Sequence, residues 1–492
     1  MLTHLPILQV IVPLMAAPLC LILSRPRLVW LFALITSGLA FLISGLILQQ
    51  VMASGTIIYE LSGWQAPWGI EYRIDQLNAF LLLIISAIST VVLIAADTSI
   101  KQEIPAEKQT YFYILYLLSL TGMLGIVATG DAFNVFVFLE VSSLSAYALI
   151  SLGKDRRALW AAFQYLIMGT IGATFILIGI GLMYQMTGTL NMHDLSIRLP
   201  AVEHTRTVFT AYAFVIVGIC LKLALFPLHL WLPNAYAYAP SIVTAFFAAT
   251  ATKVAVYLLI RFTFSVFGLS FSFTAVPLQI LFLVFGLLGI FVASTAAIYQ
   301  TNVKHLFAYS SIAQIGYMIV GFSMTTITGL TATLLHLFNH ALMKGALFLA
   351  LAAVMYRIGR VQLSQFQGLG RQMPLTMAAI VIGGLSLIGV PLTVGFVSKW
   401  YLILATLENG WWPVAILILL GSLLAVVYVW RIIETAYFKP LLAGSGTIKE
   451  APLSFLIPVW ILVIANIYFG IDTRLSVQVA QSAAQSLFGV GL

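Results

Sequence analysis

Seven residues able to exchange a proton sit inside apolar stretches of a chain in which only 8% of residues are charged. They are Glu140, Lys222, Lys253, His336, His340, Lys344 and Lys399. A charge at the centre of a membrane-spanning helix costs about 2.5–3.5 kcal/mol even on the lenient insertion scale, and a chain that keeps several usually lines a polar or hydrated pathway with them. The chemistry these residues imply is proton transfer across a membrane.

The setting of each residue refines this. Glu140 lies in Phe-Asn-Val-Phe-Val-Phe-Leu-Glu-Val-Ser-Ser, with Ser143 and Tyr147 on the same helical face. A carboxylate that only fixes helix packing is the alternative. Lys222, in Ile-Cys-Leu-Lys-Leu-Ala-Leu-Phe-Pro, is too deep to snorkel easily and needs a partner or water. A Glu140–Lys222 pair would couple protonation at one to charge at the other; a static ion pair is the bland version. Lys253 shares a face with Thr250 and Tyr257 among small alanines and threonines that permit close helix packing. His336, His340 and Lys344 recur at i, i+4 and i+8, one stripe of a helix. Histidine titrates in the working pH range, which favours a relay over packing. Metal or haem ligation is the third option for the two histidines. No glutamate intervenes and no other span offers a well-placed histidine, so neither metal nor cofactor is expected. Lys399 is read as the terminal proton site of the second half.

The elements that must carry these residues follow from hydropathy. The chain is 62% hydrophobic, with a mean hydropathy of +1.07, whereas soluble domains are about 45–50% apolar and about 25% charged. Apolar runs recur from end to end, each long enough to cross about 30 Å of hydrocarbon. Fourteen spans are predicted, roughly at 5–23, 28–52, 77–96, 110–128, 132–152, 160–186, 208–228, 241–266, 276–300, 304–322, 326–356, 375–407, 411–437 and 453–471. The first lacks a basic flank and a cleavage-site pattern and is read as a retained helix. With the N-terminus outside, 14 basic residues fall in inside loops, Lys304 among them, 5 fall outside, and 4 are the buried lysines. That bias predicts both termini on the outer face of a bacterial cytoplasmic membrane. It also explains the net charge of +8 without nucleic acid. Cys20 and Cys220 read as small buried hydrophobes. Arg431 and Glu434 read as an interfacial pair, and Asp75 and Asp131 as helix caps.

Two spans carry helix breakers beside a lysine. Pro227 follows Lys222, and Gly389, Pro391 and Gly395 precede Lys399. Proline removes a backbone donor and clashes with the preceding turn. Broken backbone at membrane depth is tolerated where it is buried in protein or lines a wet cavity, and paired breaks in two halves of a transporter point to the transport site. The expected architecture is therefore all-α and polytopic, with two inverted five-helix repeats and broken helices 7 and 12. Its parts are residues 1–109 (helices 1–3 with an outer loop at 53–75), 110–266 (helices 4–8), 276–437 (helices 9–13) and 438–492 (helix 14 and a tail). Gly-Trp-Gln-Ala-Pro-Trp-Gly-Ile at 63–70 predicts a turn, with Tyr59–Asp75 as a small hairpin and Trp64 and Trp68 suited to a membrane interface.

Several stretches together resemble the antiporter-like subunits shared by respiratory complex I, membrane-bound hydrogenases and Mrp-type cation/proton antiporters. They are residues 63–70, Phe-Leu-Glu at 138–140, Lys222 through Phe-Pro-Leu-His-Leu-Trp-Leu-Pro at 226–233, and Thr-Lys-Val-Ala-Val-Tyr at 252–257. The others are Lys-His-Leu-Phe-Ala-Tyr-Ser-Ser-Ile-Ala-Gln-Ile-Gly at 304–316 and His-Leu-Phe-Asn-His-Ala-Leu-Met-Lys at 336–344. The resemblance covers essentially the whole chain. It implies 14 helices in inverted repeats, a key glutamate at Glu140 with Lys222 as partner, a central Lys253, a histidine-bearing helix 11 and a terminal Lys399. Within the family, Lys399 and the short segment after helix 14 favour the D-type branch of the Mrp antiporter subunits. Ala-Tyr-Ala-Tyr-Ala-Pro at 235–240 is closer to the complex I and hydrogenase relatives.

The leading expectation is a proton-translocating subunit of a multi-subunit Mrp-type Na⁺ or K⁺/proton antiporter, working beside other membrane subunits in the lipid bilayer. The alternatives are a proton-pumping subunit of a complex I-like oxidoreductase or hydrogenase, or the membrane subunit of an inorganic-carbon uptake complex. The chain shows no thiolate cluster, P-loop or dinucleotide fingerprint in a soluble setting, so any redox chemistry falls to partners.

Overall fold

The computed structural model describes residues 2–23, 25–441 and 446–489. Positions 442–445 of the expected C-terminal part, and its last three residues, lie outside the described residues. Among the described residues, thirteen helices are long and apolar enough to cross a membrane. Spans 1–6 are Leu5–Ile22, Pro26–Ser54, Gln76–Glu103, Ala106–Ala128, Ala132–Ser151 and Arg157–Thr187. Span 7 runs Arg206–Leu223 and resumes after a break as Trp231–Tyr238. Spans 8–11 are Ser241–Val266, Leu278–Tyr299, Val303–Ser323 and Ile327–Ile358. Span 12 is two short helices, Pro374–Ile388 and Val394–Glu408. Spans 13 and 14 are Trp412–Phe438 and Leu453–Ile471. The broken span 12 completes the expected fourteen.

Burial sorts these helices. Spans 8 and 10 are enclosed almost completely, spans 3, 4 and 11 largely so, while spans 1, 2, 5, 6, 9, 13 and 14 leave more than half of their apolar window uncovered. Isoleucine and leucine point outward along the peripheral spans, as expected where lipid rather than water is the solvent. The enclosed spans are the ones that hold Lys253 and the His336–Lys344 stripe.

Helix ends show how the repeats are related. Asp131 accepts the Asn134 N–H at 2.7 Å and starts span 5; Asn302 accepts the Lys304 N–H at 2.8 Å and starts span 10. Asp131 also forms a backbone bridge to Asn191, and Asn302 one to Gln362. The two bridges are separated by one and the same offset along the chain, 131 to 302 and 191 to 362. Yet the first joins loops on one face of the bundle and the second joins loops on the other. This is the inverted repeat, visible in matched caps. The predicted hairpin forms as antiparallel strands Ile57–Glu60 and Glu71–Ile74. It lies on the first of these faces, bridged through Tyr72 to Thr129. Asp75 caps span 3 reciprocally with Asn78. His4 bonds Tyr59 at 3.0 Å and Phe488 packs edge-on against Phe264, so both ends of the described chain lie on the hairpin face.

Both breaks fall where expected. Leu225 N–H closes on the Cys220 carbonyl and Val390 N–H on the Leu385 carbonyl, each at 3.1 Å, around left-handed Ala224 and Gly389. The expected Arg431–Glu434 pair does not form. Arg431 donates instead to the Gln300 carbonyl at 3.3 Å, because the end of span 13 packs over the turn between spans 9 and 10.

Candidate functional site

The first cluster is built on spans 5 and 7. The Lys222 ammonium donates to Ser143 Oγ at 2.8 Å and approaches the Tyr147 hydroxyl at 3.4 Å. Both acceptors lie on the Glu140 face of span 5, as the helical spacing predicts. Glu140 and Lys222 do not themselves form an ion pair. Glu140 is half-buried, and its Oε1 has no hydrogen-bond partner. The hydroxyls one and two turns along the helix hold the ammonium instead. A cavity of about 40 Å³ lies beside Lys222, lined by Ser143 and Tyr165 and, from span 8, by apolar Ala251, Val254 and Ala255. It is large enough for water.

The second cluster is the centre. Lys253 is fully buried on span 8, its ammonium turned back to the Ala248 carbonyl and 3.4 Å from Thr252 Oγ1. Span 8 packs against span 11, and Gly345 on span 11 lets span 14 come close: a Cβ there would lie 2.7 Å from the Leu462 Cδ1. On span 11 the His336 and His340 rings are nearly parallel, 6.2 Å apart. Both ring nitrogens of His340, and Nε2 of His336, are buried without a protein partner. Buried polar atoms are rarely left so, and these are the ones able to take up and pass on a proton. Lys344 donates to the Phe307 carbonyl at 2.8 Å and to Ser310 Oγ, both on span 10.

The third cluster belongs to span 12. His336 Nδ1 meets Ser398 Oγ at 2.8 Å, and Ser398 adjoins Lys399. The Lys399 ammonium donates at 2.9 Å to each of the Leu387 and Ile388 carbonyls and to Ser422 Oγ, and lies 4.6 Å from the centre of the Tyr317 ring. Of the seven predicted residues the structure thus places Lys222 in one polar cluster with Glu140's face, bonds His336 to the serine that precedes Lys399 while the Lys399 ammonium turns to other partners, and turns Lys344 toward span 10. Among the described residues no cluster of histidine, cysteine and acidic side chains could hold a metal ion.

Other residues of the site are not legible in the sequence. Ser398, Ser422 and Tyr317 are ordinary hydroxyls in apolar runs. Lys304, expected in an inside loop, is buried, donating to the Ala239 carbonyl at 3.2 Å and Ser241 Oγ at 3.1 Å. Glu103 accepts the Ser241 N–H at 2.9 Å beside it. Lys304 is covered because the second half of span 7 ends over the start of span 10. These groups, with exposed Lys154, Arg157 and Arg360, line a cavity of about 570 Å³ on the face opposite the hairpin. There the Arg157 guanidinium holds the Asp155 carboxyl below the usual carboxylate range.

Comparison with known proteins shows the family. Residues 129–425 match the family described as NADH:quinone oxidoreductase/Mrp antiporter, TM. The chain is 42% identical to the N-type subunit of the NADH-quinone oxidoreductase of Desulforudis audaxviator, covering 96% of each. It is 28% identical to the D-type subunit of the Na(+)/H(+) antiporter of Bacillus subtilis, covering 98% of this chain and 96% of that one. A chain of the membrane-bound sulfane sulfur reductase, an archaeal respiratory membrane complex, superimposes with a TM-score of 0.89 at 32% identity, covering 99% of this chain and 97% of that chain. The protein belongs to the family of antiporter-like membrane subunits shared by NADH:quinone oxidoreductases and Mrp antiporters.

Proposed function

We propose that this chain is a proton-translocating subunit of a multi-subunit membrane complex, relaying protons along a buried axis from Glu140 and Lys222 through Lys253 and the His340–His336 pair, with Lys344 beside them, to Lys399. The observation that supports this is the series of enclosed polar clusters in both repeats, Lys222 with Ser143, Lys253, the His336–His340 pair with Ser398, and Lys399 with Ser422. Isolated in lipid, each group would be costly; sharing one hydrated path limits that. Each lysine then acts as a donor and acceptor in turn, and the unpartnered histidine nitrogens bridge the halves. Glu140 acts on Lys222 through the field rather than by contact, which in a low-dielectric interior still couples the two charges. The bias of basic loop residues supports a hairpin face, with both termini, outside a bacterial cytoplasmic membrane.

Two readings of the driving partner stand. The 42% identity to an oxidoreductase subunit, against 28% to an antiporter subunit, favours a redox-driven complex. Lysine at 399, which fits the Mrp antiporter branch, favours coupling to Na⁺ or K⁺. Proton movement in everted membrane vesicles containing the complex separates them: dependence on added Na⁺ or K⁺ supports antiport, and dependence on an electron donor and quinone supports the redox reading. The relay itself is tested at Glu140. Glu140→Ala and Glu140→Gln are expected to abolish driven proton transport in assembled complex, and Glu140→Asp to keep part of it. Normal transport by Glu140→Gln would make Glu140 a packing residue.

A further inference from the structure

One buried network takes no part in the relay, although it begins one helical turn from the central lysine. Lys253, Tyr257 and Arg261 follow at four-residue steps on span 8, each step rising about 6 Å. Beyond them a cavity of about 70 Å³, lined by Arg73, Asn78, His193, Tyr257 and Arg261 among others, opens on the hairpin face. Tyr257 and Asn78 form the buried floor of that cavity. One turn of helix separates the Tyr257 backbone from that of Lys253, whose ammonium turns the other way, to the Ala248 carbonyl.

The hydrogen bonds around Tyr257 all run in a direction that cannot carry a proton inward. Arg261 donates to Asp75 Oδ2 at 2.8 Å, to Asn78 Oδ1 at 2.7 Å and to Ser265 Oγ at 3.1 Å. Asn78 Nδ2 donates to the Tyr257 oxygen at 2.9 Å and to the Val127 carbonyl. The Tyr257 hydroxyl hydrogen goes to the same Val127 carbonyl at 3.3 Å. A conducting chain needs links that both accept and release a proton. A guanidinium has donors only and does not deprotonate, an amide does not exchange its role, and the one hydroxyl spends its hydrogen on a backbone carbonyl. Arg261 is held by a largely buried ion pair, its side chain 12% exposed against 21% for Asp75, so its fixed charge stays beside Tyr257. Fixed positive groups exclude protons from narrow pores in the same way.

We propose that Asp75, Asn78, Tyr257 and Arg261 form a proton-insulating plug that separates Lys253 from the water of the hairpin face, so that a proton on Lys253 moves only along the axis. The proposal rests on the relay reading above. It assigns positioning and insulating roles, not proton transfer, to these four residues.

The test is passive proton conductance of undriven vesicles or proteoliposomes holding the intact complex, measured with valinomycin and potassium. Asn78→Asp keeps the side-chain size but supplies a group that accepts and releases protons; at least a ten-fold rise in conductance is expected. Arg261→Gln is expected to raise it similarly. Adding Tyr257→Phe to Asn78→Asp is expected to return the leak to within two-fold of wild type, because the hydroxyl link is gone. Where the aspartate blocks assembly, Asn78→Ser carries the same test with a three-fold rise. Wild-type tightness in assembled Asn78→Asp or Asn78→Ser, together with Arg261→Gln, would overturn the plug. So would a leak that survives Lys253→Met in the same chain, since it would bypass Lys253. Lys253→Met alone tests the relay separately: normal driven transport there removes the relay, whereas loss of transport with no leak in the plug variants removes only the plug.

Discussion

The two broken helices look alike from a distance and differ in what completes them. In span 7 the lysine precedes the break. Its ammonium leaves for span 5, and the indole of Trp231 takes the Leu221 carbonyl at 3.0 Å. In span 12 the lysine follows the break and returns to it, its ammonium capping the two last carbonyls of the first half-helix. A helix C-terminus carries unpaired carbonyls and a partial negative charge, so a cation there is stabilising. Lys399 is thus part of the fold as well as a proposed relay group, whereas Lys222 caps no helix end. The backbone differs too. The left-handed residue at the first break is Ala224, with φ 58°, and the second break has two, Gly389 with φ 93° and Leu392 with φ 70°. An L side chain in that region costs about 1–2 kcal/mol, and glycine almost nothing. Both breaks therefore hold a non-glycine residue under that strain, Ala224 in the first and Leu392 in the second.

This contrast can be broken or sharpened by substitution. Lys399→Ala and Lys222→Ala should both end driven transport, but only the former should destabilise the complex. Loss of the caps on Leu387 and Ile388 is expected to cost about 2–3 kcal/mol, read as a lower midpoint in thermal unfolding of the detergent-solubilised complex, against less than about 1 kcal/mol for Lys222→Ala. Equal shifts would erase the distinction. Gly389→Ala should cost about 1–2 kcal/mol and slow transport, since the added Cβ would sit 2.9 Å from the Lys399 Cδ and push the ammonium off its carbonyls. Ala224→Gly should do the reverse in the first repeat, raising stability by about 0.5–1 kcal/mol with transport unchanged in the same assays.

The sequence carries depth well and direction poorly. Apolar length and the breakers at Pro227, Gly389 and Pro391 mark both interrupted spans, because proline and glycine act on their own backbone. Ser143 and Tyr147 are legible beside Glu140 because helical spacing alone places them on one face. What decides Lys222's real partner is the rotation of span 7 against span 5, which no spacing within either helix encodes. Lys304 and Arg261 escape notice for a related reason: a basic residue near the end of an apolar run looks the same whether it reaches water or is roofed over by another segment. Lys304 is covered by the end of span 7, and Arg261 is tied to Asp75 at the far end of span 3.

Span 11 sets the gauge of the whole site. It runs as one helix from Ile327 to Ile358, without proline, while the spans on which Lys222 and Lys399 sit are jointed. His336, His340 and Lys344 are therefore rungs on a rigid ladder whose spacing is fixed by the winding of the backbone, about 6 Å per four residues. No motion of the protein can bring one rung nearer to the next without unwinding the helix. Adjustment falls to the side chains and to the hinged neighbours on either side, and a single residue inserted between His336 and His340 would turn everything beyond it by about 100°, leaving the same chemistry facing the wrong walls.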